Sequence, residues 1–277
     1  MQQEGPSMES LTEKELDVIE VIKLAFQSLK SSWAQSLGVP AVVSLLYGLV
    51  SYHYSMETMS IILANPEEGP ESMEQLMKTF NFDAWGASLV AGLILYLTMI
   101  FPMRSAVRVF GIRSLESSSL GRQALILFLV SVLVTLGSTI GLLFCIIPGM
   151  AVFIAFSLAP AVVVLDDAGP GKALSRAYRT FSVRKGKILA LILLLGLLTG
   201  MFYFITAIPA LAYYIFALVD VVMSGEPDRL LGVLQTYVVL LMVGTTLALP
   251  VAIGLVGHSL IIAFANFRRF VPAGPEF

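Results

Sequence analysis

The chain has 277 residues, of which 57% are hydrophobic and 13% charged, with a formal net charge of −2. A soluble domain carries about a quarter of its residues as Asp, Glu, Lys and Arg, so this composition excludes one and points to an integral membrane protein. Two histidines and a single cysteine exclude an internal disulfide and the usual His/Cys metal clusters, and no metal or other cofactor is expected.

Residues 1–17 carry Glu4, Glu9, Glu13, Glu15 and Asp17 and contain no apolar run that fits a secretory signal. They are expected to be a disordered acidic N-terminus ahead of one transmembrane domain, 18–269, with a short tail at 270–277. At its start Val18, Ile22, Ala25, Phe26, Leu29 and Trp33 recur at helical spacing, the pattern of an amphipathic helix lying in the membrane interface.

A hydrocarbon core of about 30 Å takes about 20 helical residues to cross, and lipid offers no water to unpaired backbone groups, so each long apolar run should be helix. Six spans are predicted, near 36–55, 85–103, 123–146, 149–165, 187–208 and 243–267. The first connection, 56–84, is acidic, with Glu57, Glu67, Glu68, Glu71, Glu74 and Asp83 against Lys78. Tyr47, Tyr52, Tyr54, Phe82 and Trp85 flank it, as an aromatic belt would.

In the third span Gly137 and Gly141 form a small-residue pair suited to close helix packing. Cys145 at its end is expected to be buried. Pro148-Gly149 should make the turn into the fourth span, and Pro160 should kink that span and free a carbonyl near Phe156 for Ser157 or a neighbour to satisfy. Asp166 and Asp167 follow, placed to cap the next helix and to pair with Arg176 or Arg179.

That next helix is again amphipathic, with Leu174, Ala177, Tyr178 and Phe181 on one face and Lys172, Arg176 and Arg179 in a basic stripe. With Arg184, Lys185 and Lys187 it concentrates six cations, each worth about 1 kcal/mol next to an anionic leaflet. These six are the candidate lipid head-group residues; the plainer account is a topology signal and a docking surface. Gly196 and Gly200 in the fifth span suggest packing inside the bundle. Residues 209–242 are apolar but interrupted by Asp220, Glu226, Asp228 and Arg229, and Pro209 and Pro250 bracket them. They form either an outer helical hairpin extending the last two spans or two further short spans. In the last span His258 lies near mid-helix beyond Gly254 and Gly257. A neutral His bonded to a neighbouring helix is the plain account, and a transport contact is the alternative, with Asp220 a second candidate.

With six spans, fifteen of the seventeen Lys and Arg fall on one side, leaving Lys78 and Arg229 on the other. Positive loops stay cytoplasmic, so both termini are expected inside a bacterial inner membrane. An internal repeat is also suggested. Ala25-Phe26-Gln27-Ser28-Leu29 and Ala177-Tyr178-Arg179-Thr180-Phe181 lie 152 residues apart, each followed by a polar or basic patch, a span, an outer connection and a span ending in Arg.

The run Ile147-Pro148-Gly149, then Leu158-Ala159-Pro160 through Asp166-Asp167, then Gly169-Pro170-Gly171-Lys172-Ala173-Leu174 up to Arg179, resembles the membrane domain attached to some glycerophosphoryl diester phosphodiesterases and its stand-alone inner-membrane relatives. Ala263-Phe264-Ala265-Asn266-Phe267-Arg268-Arg269 is similar to the closing segment of that family, with Asn266 where an Asp is more usual. The resemblance implies a membrane module of unassigned activity. The phosphodiesterase chemistry belongs to a separate soluble barrel, so no catalytic residue carries over.

The expected protein is therefore an all-α polytopic bundle that is not an enzyme. It binds membrane lipids, anionic ones included, or organises the envelope, alone or with a copy of itself or another membrane protein. A secondary transporter or channel with a midplane site near His258 is the alternative. There is no phosphate-binding glycine loop, and nucleic acid is not an expected partner.

Overall fold

The computed structural model describes residues 11, 14–64, 82–112, 119–226 and 229–271. Most of the acidic connection, with Lys78, lies outside the described residues, as do Arg113, Asp228, the end of the tail and the side chains of Phe82 and Trp85. All regular structure among the described residues is helical: α1 Val18–Ser31, α2 Trp33–Ala64, α3 Phe82–Leu97, α4 Ile100–Val109, α5 Leu120–Phe144, α6 Ile146–Phe156, α7 Ala159–Asp166, α8 Pro170–Val183, α9 Lys185–Ser224 and α10 Leu230–Phe267, closed by a 3-10 turn at Arg268–Phe270. Six stretches are long and apolar enough to cross a membrane: Trp33–Tyr54, Val90–Val109, Leu120–Phe144, Ile146–Asp166, Lys185–Ser224 and Leu230–Phe270. The protein is an all-α polytopic membrane bundle.

Local chemistry sets the helix ends. At the start of α1 the Asp17 N–H donates to the Glu20 carboxylate at 2.9 Å, half of a capping box. Ser32 ends α1 with φ −126° and ψ 25°, and α2 begins at the next residue. Pro170 opens α8, where its missing N–H costs nothing; Asp167 before it ends α7 in the left-handed region, φ 50°. Arg184 ends α8 with φ −120° and ψ 35°, and α9 begins at the next residue. α1 and α8 are each 14 residues long. Residue 18 thus corresponds to 170 and residue 33 to 185.

Two hinges differ from the sequence expectation. The turn from α5 to α6 falls at Cys145, whose backbone is extended, and not at Pro148-Gly149. Pro148 sits inside the first turn of α6, where a proline needs no donor. Gly149 faces Gly141 so closely that a Cβ on Gly141 would lie 2.8 Å from the Gly149 backbone. Glycine's function here is close approach within the hairpin, and Cys145 is exposed at its tip rather than buried. The fourth span breaks at Ser157, as a proline at 160 demands. The Ser157 hydroxyl donates to the Ile154 carbonyl at 2.8 Å, two residues before Phe156.

Residues 209–242 complete two unbroken helices. α9 runs for 40 residues and α10 for 38, with Pro209 and Pro250 inside them. At 1.5 Å per residue each is close to 60 Å long, about twice a hydrocarbon core. The chain reverses at Gly225, φ 66°. A helical hairpin extending the last two spans, rather than two further short helices, is thus what forms. The broken helices that favoured a transporter at Pro209 and Pro250 are absent; the interruptions in spans occur instead at residues 98–99 and 157–158.

The chain divides into two compact units. The first comprises the described residues of Met1–Pro40, Leu97–Leu198 and Ala252–Phe277. Its core is Val21, Ala25, Met103, Leu127, Val162, Ala173, Ala177, Ile188, Leu255, Ile261 and Phe264, all at most 2% exposed. Leu29 and Leu37 crowd Gly254, and Pro102 crowds Gly257, so at these two positions α10 comes close to α1, α2 and α4 because it lacks a side chain. Of the N-terminal stretch expected to be disordered through residue 17, residues 11 and 14–17 are described and pack on the first unit, while 1–10 and 12–13 lie outside the described residues. Leu11 and Leu16 are buried, and Asn266 holds the backbone around them. Its Oδ1 accepts from the Leu16 N–H at 2.9 Å, and its Nδ2 donates to the carbonyls of Leu11 at 3.0 Å and Lys14 at 2.8 Å.

The second unit comprises the described residues of Ala41–Tyr96 and Thr199–Val251. Gly48 seats against the Thr246 side chain and Gly244 against the Thr206 carbonyl. The rings of Tyr214 and Tyr237 lie 4.9 Å apart. A Cβ at Gly196 in the first unit or at Gly200 in the second would have open space, so neither position needs a glycine for close packing within its own unit.

An Asp at position 266 could accept from Leu16 but could not donate to the two carbonyls. Asn266→Asp is expected to cost at least about 2 kcal/mol and to lower the melting temperature by about 5 °C or more in detergent. An unchanged melting curve would mean the N-terminal segment is not held by this amide.

Candidate functional site

Four basic side chains and two carboxylates organise the basic end of the first unit. α7 delivers Asp166, and α8, lying close because Ala173 and Ala177 present no bulk and are fully buried, turns Arg176 and Arg179 outward on successive turns. Arg268 comes from the far end of the chain, placed by the buried Phe264 and Phe267 of α10. Asp166 bridges them: one carboxylate oxygen accepts from Arg176 at 2.8 Å and the other from Arg268 at 2.6 Å. The Arg268 guanidinium lies over the Phe264 ring, 5.5 Å from its centroid, a cation–π geometry. Asp167 pairs with Arg122 at the start of α5, at 3.1 Å. Asp166 therefore does meet Arg176, as its position suggested, while Arg268 and Arg122 were not anticipated as partners.

Asp166, Arg176, Arg179, Thr180, Phe264, Arg268 and Val271 line a cavity of about 300 Å³ that is open to the surface. The Thr180 hydroxyl donates back to the Arg176 carbonyl at 2.9 Å, so it can only accept from a ligand. The remaining donors are guanidinium N–H groups, five on each arginine in a rigid fork suited to oxyanions.

The six cations between 172 and 187 are divided by the structure. Arg176 and Arg179 line the cavity. Arg184 and Lys187 turn to Glu15 instead, at 2.8 Å and 3.1 Å, and Lys187 also donates to the Leu16 carbonyl at 3.1 Å. Lys172 and Lys185 are exposed outside the cavity. What the sequence presented as one basic cluster is a lined cavity beside an internal clamp on the N-terminal segment.

His258 is fully buried in the first unit and has a partner at each ring nitrogen: Ser28 of α1 at Nδ1, 2.8 Å, and Ser36 of α2 at Nε2, 2.9 Å. The Ser32 hydroxyl donates to the Ser28 carbonyl at 2.8 Å and lies 3.1 Å from the Ser36 hydroxyl. In one consistent arrangement Ser36 donates to Ser32, Nε2–H donates to Ser36, and Nδ1 accepts from Ser28. The geometry is that of a tether. Asp220 belongs to the second unit, where its side chain is 73% exposed and lies 3.9 Å from Arg229 at the hairpin turn.

Sequence reasoning missed Arg268 as a site residue and Glu15 as a clamp. A signal for the first was present in Phe264 four residues before Arg268, an aromatic-to-basic step on one helix face. Nothing local signals the second. Among the described residues no group of three or more His, Cys, Asp or Glu is placed to hold a metal ion.

A UPF0259 membrane protein of Sodalis glossinidius (strain morsitans) is 37% identical to this chain over 92 residues, or 33% of this chain. The match spans about a third of that relative, 35% of its length. No family model matches the chain, so a link to phosphodiesterase membrane domains is not shown, and no solved structure matches it. The relative and the six apolar helices support a multi-pass bacterial membrane protein.

His258→Leu leaves two buried hydroxyls without their partner, and the protein is expected to lose about 1 to 3 kcal/mol of stability. Thermal unfolding of the detergent-solubilised protein measures this. A variant as stable as the parent would remove the tether from the account of how α1 and α2 are held.

Proposed function

We propose that the chain is a non-catalytic inner-membrane protein that binds lipids with anionic head groups, its basic end and both termini facing the cytoplasm, as a lipid-binding or envelope-organising module of the kind its resemblance to phosphodiesterase membrane domains suggests. The observation that carries this reading is the cavity ringed by Arg176, Arg179 and Arg268. Three guanidinium groups gathered from segments ninety residues apart exceed what a topology signal requires, since that signal needs only charge on the correct side.

The chain supplies its own comparison. α1 has the length of α8, leads into a long helix through a break of nearly the same backbone geometry, and buries Val21, Ala25 and Ser28 where α8 buries Ala173, Ala177 and Thr180. At the positions of Arg176 and Arg179 it carries Leu24 and Gln27. An internal repeat accounts for this correspondence. Docking such a helix evidently needs no arginine at these positions, which favours a ligand as the reason for them in α8. The transporter alternative draws less support, because both nitrogens of His258 already hold helices together.

Native mass spectrometry of the protein extracted with its lipids tests the reading. At about 1 kcal/mol per cation near an anionic surface, Arg176→Gln/Arg179→Gln is expected to lose retained anionic lipid by about tenfold or more, while Lys172→Gln keeps it. Lipid-free particles in every case, or retention unchanged in the double variant, would reduce the stripe to a topology signal.

A further inference from the structure

The far half of α9 turns a bulky apolar face outward from its own unit. Met201, Ile208, Ile215 and Val222 recur every seven residues, and Ile205, Ala212 and Val219 fall four residues after the first three, the a and d spacing of a coiled-coil seam. Apart from the half-buried Ala212 they are 46 to 73% exposed. The opposite face is the one that packs, with Ala210 and Val221 buried. All of these residues belong to the second unit.

Any half-buried membrane helix exposes apolar residues at every third and fourth position, and lipid tails ordinarily cover them. Length sets α9 apart. Between Lys187 and Asp220 it has no charged residue, and at 1.5 Å per residue that stretch is about 50 Å long against about 30 Å of hydrocarbon. A tilt of about 40°, the upper end for membrane spans, still leaves it too long. The apolar face also continues past Asp220, where Val222 and Met223 are 73% and 83% exposed. Asp220 is itself exposed, and a carboxylate is costly to bring into hydrocarbon. Lipid tails therefore end before the apolar face does.

We propose that this face of α9 packs against the same face of α9 in a second copy of the chain. Copies inserted in one membrane share an orientation, so a two-fold axis along the membrane normal sets their α9 helices parallel and brings each seam residue level with its own counterpart. Such a surface has to be complementary to itself. No charge lies on the seam to repel its copy, since Asp220 is the first charged residue after Lys187 and falls beside the seam rather than on it. The apolar side chains exposed from Met201 to Met223, with Phe204, Leu211 and Phe216 among them, offer on the order of 1,000 Å² per copy, where a stable interface takes about 800 Å² per partner. The interface is independent of whatever binds at the basic end.

Disulfide trapping in native membranes tests it, because an S–S bond closes only when the two Cα atoms approach to about 4.4 to 6.8 Å. In full-length protein carrying Cys145→Ser, which removes the single cysteine, Ile208→Cys and Ile215→Cys are each expected to form a covalent dimer on mild oxidation, and Asp220→Cys is not. The dissociation constant of the dimer in detergent, measured by analytical ultracentrifugation, is expected to rise about tenfold or more in Ile208→Ala/Ile215→Ala. It should stay unchanged in Leu143→Ala/Phe144→Ala, which trims more exposed side chains on α5. Melting temperatures equal to the parent's show that the variants are folded. No covalent dimer at either seam position, a dimer indifferent to the seam alanines, or trapping only at residue 220 overturns the proposal. So does a seam adduct whose mass is not twice that of the chain, which would give this face to a different protein.

Discussion

The first unit depends on three polar side chains, His258 and Asn266 in the last turns of α10 and Arg268 in the 3-10 turn that closes it. His258 fastens α1 and α2, Asn266 fastens the backbone of Leu11, Lys14 and Leu16, and Arg268 fastens α7 and α8 through Asp166. The residues around them, from Leu260 to Phe267, are buried. Apolar contact alone does not discriminate well between one helical register and the next, whereas a buried polar group left without its partner costs several kcal/mol in lipid. Slipping α10 by a single residue would orphan all three. Gly254 and Gly257 serve the same end, since α10 meets α1, α2 and α4 where it has no side chain to hold it off.

Much of this was legible from the sequence, because a bilayer constrains a chain more tightly than water does. Hydropathy located six spans, and helical spacing marked α1 and α8. What it could not supply is where distant segments meet. Arg268 and Asp166 form one site although 102 residues separate them, and no local pattern encodes that contact. Cys145 was expected to be buried because cysteine usually is, yet the turn fell on it, leaving Gly141 and Gly149 to bring the hairpin together. Asn266 looked like a departure from a family pattern; the carbonyls of Leu11 and Lys14 explain it, since only an amide can donate to both while accepting from Leu16.

In the internal repeat proposed above, Ser28 of α1 and Thr180 of α8 take matching buried positions. Ser28 is engaged by His258 and ties its helix to α10. Thr180 satisfies itself on the Arg176 carbonyl and leaves its helix to be held by the ion pairs around Asp166. The first tether is a neutral hydrogen-bond chain sealed from solvent, and the second is a charged network at the surface of the unit.

That difference bears on why a carboxylate persists among the arginines. The Asp166 side chain is 15% exposed, but Arg176 and Arg268 are 44% and 36% exposed. Ion pairs this accessible contribute little to stability, about 0 to 1 kcal/mol. Stability is therefore a poor reason for the arrangement, and position a better one. Without Asp166 the two guanidiniums would repel each other and swing toward solvent, each on a side chain with about 2 kcal/mol of rotamer entropy to recover. With it, the two side chains are held at opposite oxygens of one carboxylate, and the ends of α8 and α10 are fixed relative to α7.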